Sequence, residues 1–128
     1  MERKGEDVRA HFRFEDLTIW QLARDFAVNM HRMADRLEQR KYYRYAEQIR
    51  AAALSVPNNI AEGAGSIHIP EFLQFLNIAR RSLFENASML LVFEAMEIWA
   101  SGEIDGLLND CDKISRMITN FSRSKRKA

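Results

Sequence analysis

The sequence predicts an all-α protein, an antiparallel up-down-up-down four-helix bundle, and three observations support this fold class. Apolar residues recur at alternating spacings of three and four along most of the chain, as they do on the buried face of a helix. Five glycines and two prolines are too few for a chain rich in turns. The polar joints between the periodic segments are only about three to five residues long, and such short joints favour antiparallel neighbours.

The first helix is predicted from about Asp16 to Glu38. Its apolar stripe comprises Ile19, Trp20, Ala23, Phe26, Ala27, Met30, Met33, Ala34 and Leu37. Residues 1–14 mix both charges without apolar periodicity, so we expect a flexible N-terminal arm there. The bundle domain is expected to cover residues 15–122.

The second helix follows a polar joint at residues 39–41 and carries Pro57 in its interior. The apolar spacing stays in phase across Pro57, which favours one kinked helix over two helices with Ser55 as a cap. The kink is expected because proline lacks the amide that would donate to the carbonyl of Ala53. Gly63 and Gly65 are expected to end this helix.

The third helix is predicted from Ile69 to about Ala100, with Pro70 in its first turn, where a missing donor is harmless. Its buried seam is predicted to be Phe72, Leu76, Ala79, Leu83, Asn86, Leu90 and Phe93. Further apolar residues lie outside the seam, namely Leu73, Ile78, Leu91, Val92 and Ile98. One bundle core cannot bury all of them, so they predict a subunit interface. A fourth helix is predicted from about Ile104 to Phe121, followed by a basic tail at residues 123–128.

Charge and cysteine content limit the partners and the compartment. The chain carries 19 basic and 18 acidic residues, so nucleic-acid binding would need a local basic patch. Cys111 has no disulfide partner within the chain, and the charged start carries no export signal, which together predict a cytoplasmic protein. No apolar run approaches the roughly 20 residues that cross a bilayer, so no membrane partner is expected.

No catalytic site, metal site or cofactor is predicted. The three histidines have neither the spacing nor the cysteine partners of a zinc site. Cys111 lies on an apolar seam and is interpreted as a core residue. Gly63 and Gly65 could form an anion-binding nest, but a simple turn is preferred because no strand or third glycine accompanies them.

Two basic groups are candidate contacts to a nucleic-acid backbone. They are Arg32, Arg36, Arg40, Lys41 and Arg44 around the first joint, and Arg123, Lys125, Arg126 and Lys127 in the tail. Asp35 and Glu38 interrupt the first group, so a solvated face with salt bridges is the alternative interpretation. Most aromatic residues that could stack on bases lie on the predicted core seams, and Tyr43 is the best exposed candidate. Single-strand binding therefore has little support.

Polar residues also share one edge of the second helix. Gln48, Ser55 and Glu62 are seven residues apart, and Asn58 and Asn59 adjoin this edge. These residues either satisfy hydrogen bonds at the kink or form a ligand site. Glu62 can accept hydrogen bonds from Arg50, Arg80 or Arg81 if helix packing brings one of them close.

Three segments carry a family resemblance. They are FEDLTIWQLA at 14–23, QIRAAALSVPNNIAEG at 48–63 and EFLQFLNIARRSLFE at 71–85. Together they resemble the bacterial four-helix bundle family named for the intervening-sequence proteins of 23S ribosomal RNA. The resemblance implies a left-handed bundle that assembles as a ring, a homopentamer, without catalytic activity. It also implies kinship with an accessory protein of the reverse transcriptase of diversity-generating retroelements.

The resemblance assigns family-motif polar positions to Asn59, Glu62 and Glu85. The family carries an arginine shortly after the NIAEG glycine, where this chain has Ser66 or Ile67. Arg81 is a further candidate, because it could take over the role of that missing arginine. We therefore predict a non-enzymatic, ring-forming protein that associates with structured RNA or a ribonucleoprotein. The alternative is a protein adaptor, for example a reverse transcriptase accessory, without direct nucleic-acid contact.

Overall fold

A computed structural model describes residues 8–127, and within that range it contains four α-helices and no strand. The helices are α1 (Thr18–Gln39), α2 (Tyr43–Ala64), α3 (Ile69–Ala95) and α4 (Asp105–Lys127), preceded by a 3-10 turn at Arg13–Asp16. Each helix packs against both of its neighbours in the order α1, α2, α3, α4 and back to α1. The predicted all-α, four-helix fold class is confirmed.

The direction of α2 against α3 follows from the residues that meet between them. Position 63 of α2 faces Phe75, Ser55 faces Ser82, and Ala52 faces Asn86. The residue numbers rise in one helix as they fall in the other, so the two helices are antiparallel. Contacts of Arg80 with Thr119 and of Phe72 with Phe121 show the same for α3 and α4.

The core lies where the periodicity predicts it. The buried residues of α3 are the seven of the predicted seam, and the stripe predicted for α1 is buried except for half-buried Trp20. The large side chains buried completely or almost so include Phe26, Met30, Leu76 and Leu90. Burying each such side chain contributes roughly 1.5–3 kcal/mol relative to leaving it exposed, so the core formed between the helices is the main source of stability.

The helix α2 runs through Pro57 without interruption, which confirms one helix rather than two; the bend itself stays a prediction. Gly65 caps it, as expected, whereas Gly63 lies inside the last turn and is buried. A Cβ at Gly63 would lie 2.7 Å from Phe75 Cβ and 2.9 Å from Phe72 Cδ1. Position 63 is therefore a point of close approach between α2 and α3.

The third helix ends earlier than predicted, at Ala95 rather than Ala100. Glu97 adopts a left-handed conformation with φ of 62°, and Ile98 N–H donates to Phe93 O, which is the hydrogen bond of a Schellman motif. This turn folds Ile98 and Trp99 back into the core, where each is 5% exposed. Ile98 is thus a core residue and not part of a surplus apolar surface.

The fourth helix is longer than predicted, because it continues through the basic residues to Lys127. The segment predicted as a tail at 123–128 is therefore helical over its described part. Of the predicted arm at 1–14, residues 1–7 lie outside the described residues, and residues 8–12 form neither helix nor strand. Within residues 8–127, no helix combines the length and apolar character that a membrane span requires.

Candidate functional site

A polar seam connects the middle of α2 to α3. The hydroxyls of Ser55 and Ser82 lie 2.8 Å apart, and Ser82 Oγ also donates to the Ile78 carbonyl. Asn59 Nδ2 donates to the main-chain carbonyl of Ser55 at 2.7 Å and lies 3.0 Å from its hydroxyl. The seam thus links two helices through side chains that would otherwise be unsatisfied polar groups in a packed contact.

Asn86 completes this polar seam from α3. Its Nδ2 donates to the Ala52 carbonyl in α2 at 3.0 Å and to the Ser82 carbonyl at 2.7 Å, while Asn86 itself is fully buried. Its Oδ1 atom has no hydrogen-bond partner among the described residues. The accepting carbonyl in α2 belongs to Ala52, the residue before Ala53, and Pro57 leaves the carbonyl of Ala53 without its helical donor.

No hydrogen bond or ion pair among the described residues joins the family-motif positions to one another. Asn59 belongs to the polar seam, and Glu85 lines a groove between α2 and α3 together with Gln48 and Ser55. Glu62 and Arg81 are both exposed, and within residues 8–127 no ion pair joins either of them to another residue.

Two of the cations considered as partners of Glu62, Arg50 and Arg80, bind other residues. Arg50 binds Asp35 at 2.7 Å and Glu38 at 3.1 Å, and so connects α2 to α1. Arg80 donates to Thr119 Oγ1 at 2.9 Å and lies over the Phe84 ring. Helix packing therefore directs these two arginines to neighbouring helices rather than to Glu62.

The polar seam offers hydrogen bonds but no titratable group for proton transfer. Its serines have no histidine or carboxylate as a hydrogen-bond partner among the described residues. Elsewhere, burial raises the pKa of the Cys111 thiol to about 12, which keeps it protonated and unreactive at neutral pH. Within residues 8–127, no three His, Cys, Asp or Glu side chains are grouped so as to hold a metal ion.

Two members of the first basic group fix the joint between α3 and α4. Arg36 forms an ion pair with Glu103, and Arg40 donates to the Ile98 carbonyl. The hydrogen bond from Arg36 is also the main cause of the lowered pKa of the Glu103 carboxyl. For Arg36 and Arg40, the alternative interpretation of salt bridges and internal contacts therefore describes the structure.

The two basic groups lie at opposite ends of the bundle. The start of α1 shares a groove with Met117 and Phe121 of α4, whereas the end of α1 contacts the α3–α4 joint through Arg36. These two ends are separated by the 22 residues of α1, roughly 33 Å at 1.5 Å per residue. The two groups therefore form two separate patches on one subunit.

We name the two ends by their residues. The basic end comprises residues 8–17, 61–73 and 118–127, and the acidic end comprises residues 36–47 and 91–106. At the basic end six Arg or Lys residues, Arg9, Arg13, Arg123, Lys125, Arg126 and Lys127, outnumber four carboxylates, Glu15, Asp16, Glu62 and Glu71. At the acidic end, four cations face six carboxylates, which are Glu38, Glu47, Glu94, Glu97, Glu103 and Asp105. Within residues 8–127, the two ends of the bundle therefore differ in the sign of their charge excess.

The basic end also presents an aromatic residue that the sequence prediction missed. Phe12 is 56% exposed and stacks on Phe14, with ring centroids 5.6 Å apart and planes inclined by 20°. Phe14 in turn meets the Trp20 ring edge-on at 4.9 Å. The sequence signal for this surface is an aromatic residue, Phe12, inside a charged segment. The sequence does not indicate that a 3-10 turn follows Phe12 and orders its ring.

Comparisons with known proteins agree with this architecture. A family model described as 23S rRNA-intervening sequence protein matches residues 15–120. The chain is also similar to a crystal structure of a protein with unknown function from the S23 ribosomal protein family of Bacteroides thetaiotaomicron VPI-5482. The TM-score is 0.78 at 21% sequence identity, covering 82% of this chain and 98% of that chain, so the likeness shows the fold alone. No curated protein shows significant similarity.

Proposed function

The chain belongs to the 23S rRNA-intervening sequence protein family, and we propose that it is a non-catalytic bundle protein that associates with structured RNA or a ribonucleoprotein. The family description refers to ribosomal RNA, and the structural neighbour belongs to a family named for the ribosome. Neither description names a reaction. We further propose that the subunits assemble as a ring, the homopentamer that the family resemblance implies.

The observation that carries this proposal is the charge polarity of the bundle. Among residues 8–127, six cations and four carboxylates lie at the end where α4 finishes, and Arg123, Arg126 and Lys127 are exposed there. Phosphates of a nucleic acid bind such a patch mainly through counterion release, which does not require a high overall net charge. A ring of subunits would multiply the number of these patches and so raise the avidity for a long polyanion.

Salt dependence of RNA binding tests the proposal. The full chain is titrated with a structured RNA, for example a labelled hairpin, at increasing KCl concentration. Binding through phosphates predicts that the logarithm of the association constant falls linearly with the logarithm of the salt concentration. A flat response, or no binding at low salt, would remove the proposed RNA association.

A protein adaptor without nucleic-acid contact is the second candidate, and the outer face of α3 favours it. Phe84, Leu91, Val92 and Met96 are each about half exposed on its C-terminal half. Exposed apolar residues grouped on one helix are typical of a protein interface, so they support either ring assembly or a different protein partner. In a pull-down from bacterial lysate, an adaptor keeps its partner after nuclease treatment, whereas an RNA-bridged partner is lost.

A further inference from the structure

The basic end presents an ordered aromatic surface beside Arg13. Phe12 stacks on Phe14, and Phe14 packs against half-buried Trp20, so the exposed ring rests on the bundle. Hydrogen bonds fix the main chain at this point: Phe12 N–H donates to the Glu15 carboxylate at 2.8 Å, and Gln21 donates to the Glu15 carbonyl at 2.7 Å. The ring is therefore positioned before any ligand arrives, which lowers the entropic cost of binding.

The Glu15 carboxylate holds this segment at neutral pH. A hydrogen bond from Arg9 at 2.7 Å is the largest cause of its lowered pKa, followed by the bond from Phe12 N–H. A carboxyl whose pKa is lowered in the folded state stays ionised through its ordinary titration range and is protonated only as the pH falls through the lowered value. Acidification to that value thus weakens the hold of Glu15 on the Phe12 main chain.

Charge distribution distinguishes the two ends as nucleic-acid surfaces. Tyr43 at the acidic end is as exposed as Phe12, 57% against 56%. However, the acidic end as a whole carries six carboxylates against four cations, and Arg36 and Arg40 already bind the α3–α4 joint. At the basic end, Arg13 follows Phe12 directly and is exposed. As far as residues 8–127 describe the two ends, the basic end is the one that combines an open aromatic face with more cations than carboxylates.

We propose that the basic end binds an unpaired RNA segment, with a base stacked on Phe12 and its phosphates facing Arg13 and the last turn of α4. An exposed aromatic ring can stack on a base only where that base is not enclosed in a duplex, so this surface selects single-stranded loops or ends. The inference rests on the proposed RNA association and specifies the kind of RNA and the end of the bundle that holds it.

Paired substitutions at the two ends test this inference. Phe12→Leu keeps an apolar side chain but removes the π face, whereas Tyr43→Leu makes the same change at the acidic end. The probe is a labelled single-stranded RNA of about a dozen nucleotides, compared with a duplex of the same sequence. We expect Phe12→Leu to weaken single-strand binding at least about fivefold, and Tyr43→Leu to leave it unchanged.

Two further readouts separate stacking from unfolding. Phe12→Trp should retain or strengthen single-strand binding, because indole also stacks on bases, and all three variants should keep the wild-type unfolding temperature. Unchanged affinity of Phe12→Leu, or a preference of the wild type for the duplex, would overturn the inference while leaving RNA association intact. Absence of binding to any RNA would instead remove the proposed function, and the inference with it.

Discussion

The contact between α2 and α3 depends on the side-chain amide of Asn86. Asn86 is fully buried and donates to two carbonyls, so its amide nitrogen has partners while Oδ1 has none among the described residues. A buried polar group without a partner costs about 1–3 kcal/mol, and this arrangement persists only because the amide donor compensates for it. The position therefore tolerates an apolar replacement better than an acidic one.

Two substitutions at Asn86 test this account. Asn86→Asp replaces the donating amide by a carboxylate facing the Ala52 and Ser82 carbonyls, and should lower the free energy of unfolding by about 3 kcal/mol or more at neutral pH. Asn86→Leu removes the unpaired acceptor together with the donor and should cost less than about 1.5 kcal/mol. Urea unfolding measures both; a smaller loss for Asn86→Asp than for Asn86→Leu would contradict the assigned hydrogen bonds.

At the scale of the helices, Gly63 sets the distance between α2 and α3. The helix interior would ordinarily gain about 1 kcal/mol from an alanine in place of glycine. Here the new methyl would lie 2.7 Å from Phe75 Cβ, an atom held by the α3 backbone, so the helices would have to separate. The close approach therefore outweighs helix propensity at this position.

Gly63→Ala should lower the free energy of unfolding by about 1–3 kcal/mol, in line with overpacking of a filled core. The matched control is Gly106→Ala in the first turn of α4, where nothing lies within 4 Å of the new Cβ. That control should be neutral or stabilise by up to about 1 kcal/mol. Equal stabilisation by both changes would show that α2 and α3 do not approach as described.

The elements also show which features of the fold the sequence can predict. The prediction of the buried α3 seam is confirmed at all seven positions, because burial in a bundle follows the helical period closely. The predicted end of α3 is wrong because the left-handed residue that ends the helix is Glu97 rather than glycine, the usual signal of a helix end. The apolar Ile98 and Trp99 then read as a continuing helix, although they fold back onto the core.

The candidate sites depend on tertiary register, which the sequence does not contain. Asn59 and Ser55 are recognisable as polar positions of α2, but their partner Ser82 is found only once α2 and α3 are aligned. In the same way, Arg44 and Arg123 are both recognisable in the sequence as candidate contacts to a nucleic-acid backbone. Only the antiparallel arrangement shows that they lie at opposite ends of the bundle.

At the scale of the whole molecule, the exposed apolar face of α3 is expected to be covered by assembly. Light scattering on the purified chain should give a mass several times the 14.9 kDa of one subunit. Leu91→Glu should reduce that mass, because a carboxylate buried in an interface is costly, whereas Ile67→Glu on the α2–α3 joint should not. A monomeric wild type would contradict the ring.

The central claim, that the basic end is the RNA-binding surface, predicts a difference between two charge variants. One variant combines Arg123→Gln, Arg126→Gln and Lys127→Gln; the other combines Arg32→Gln, Lys41→Gln and Arg44→Gln. Both remove three positive charges, so any effect of net charge on RNA binding is the same in the two proteins. Lys125 is retained because it lies over the Phe121 ring.

The decisive measurement is the slope of log association constant against log salt concentration for RNA binding by these two variants and the wild type. Each phosphate contact contributes about 0.7–0.9 to the magnitude of that slope. The basic-end variant should therefore lose about two from the slope, and the control variant should keep the wild-type value. Equal slopes in all three proteins, or a loss confined to the control variant, would contradict the claim.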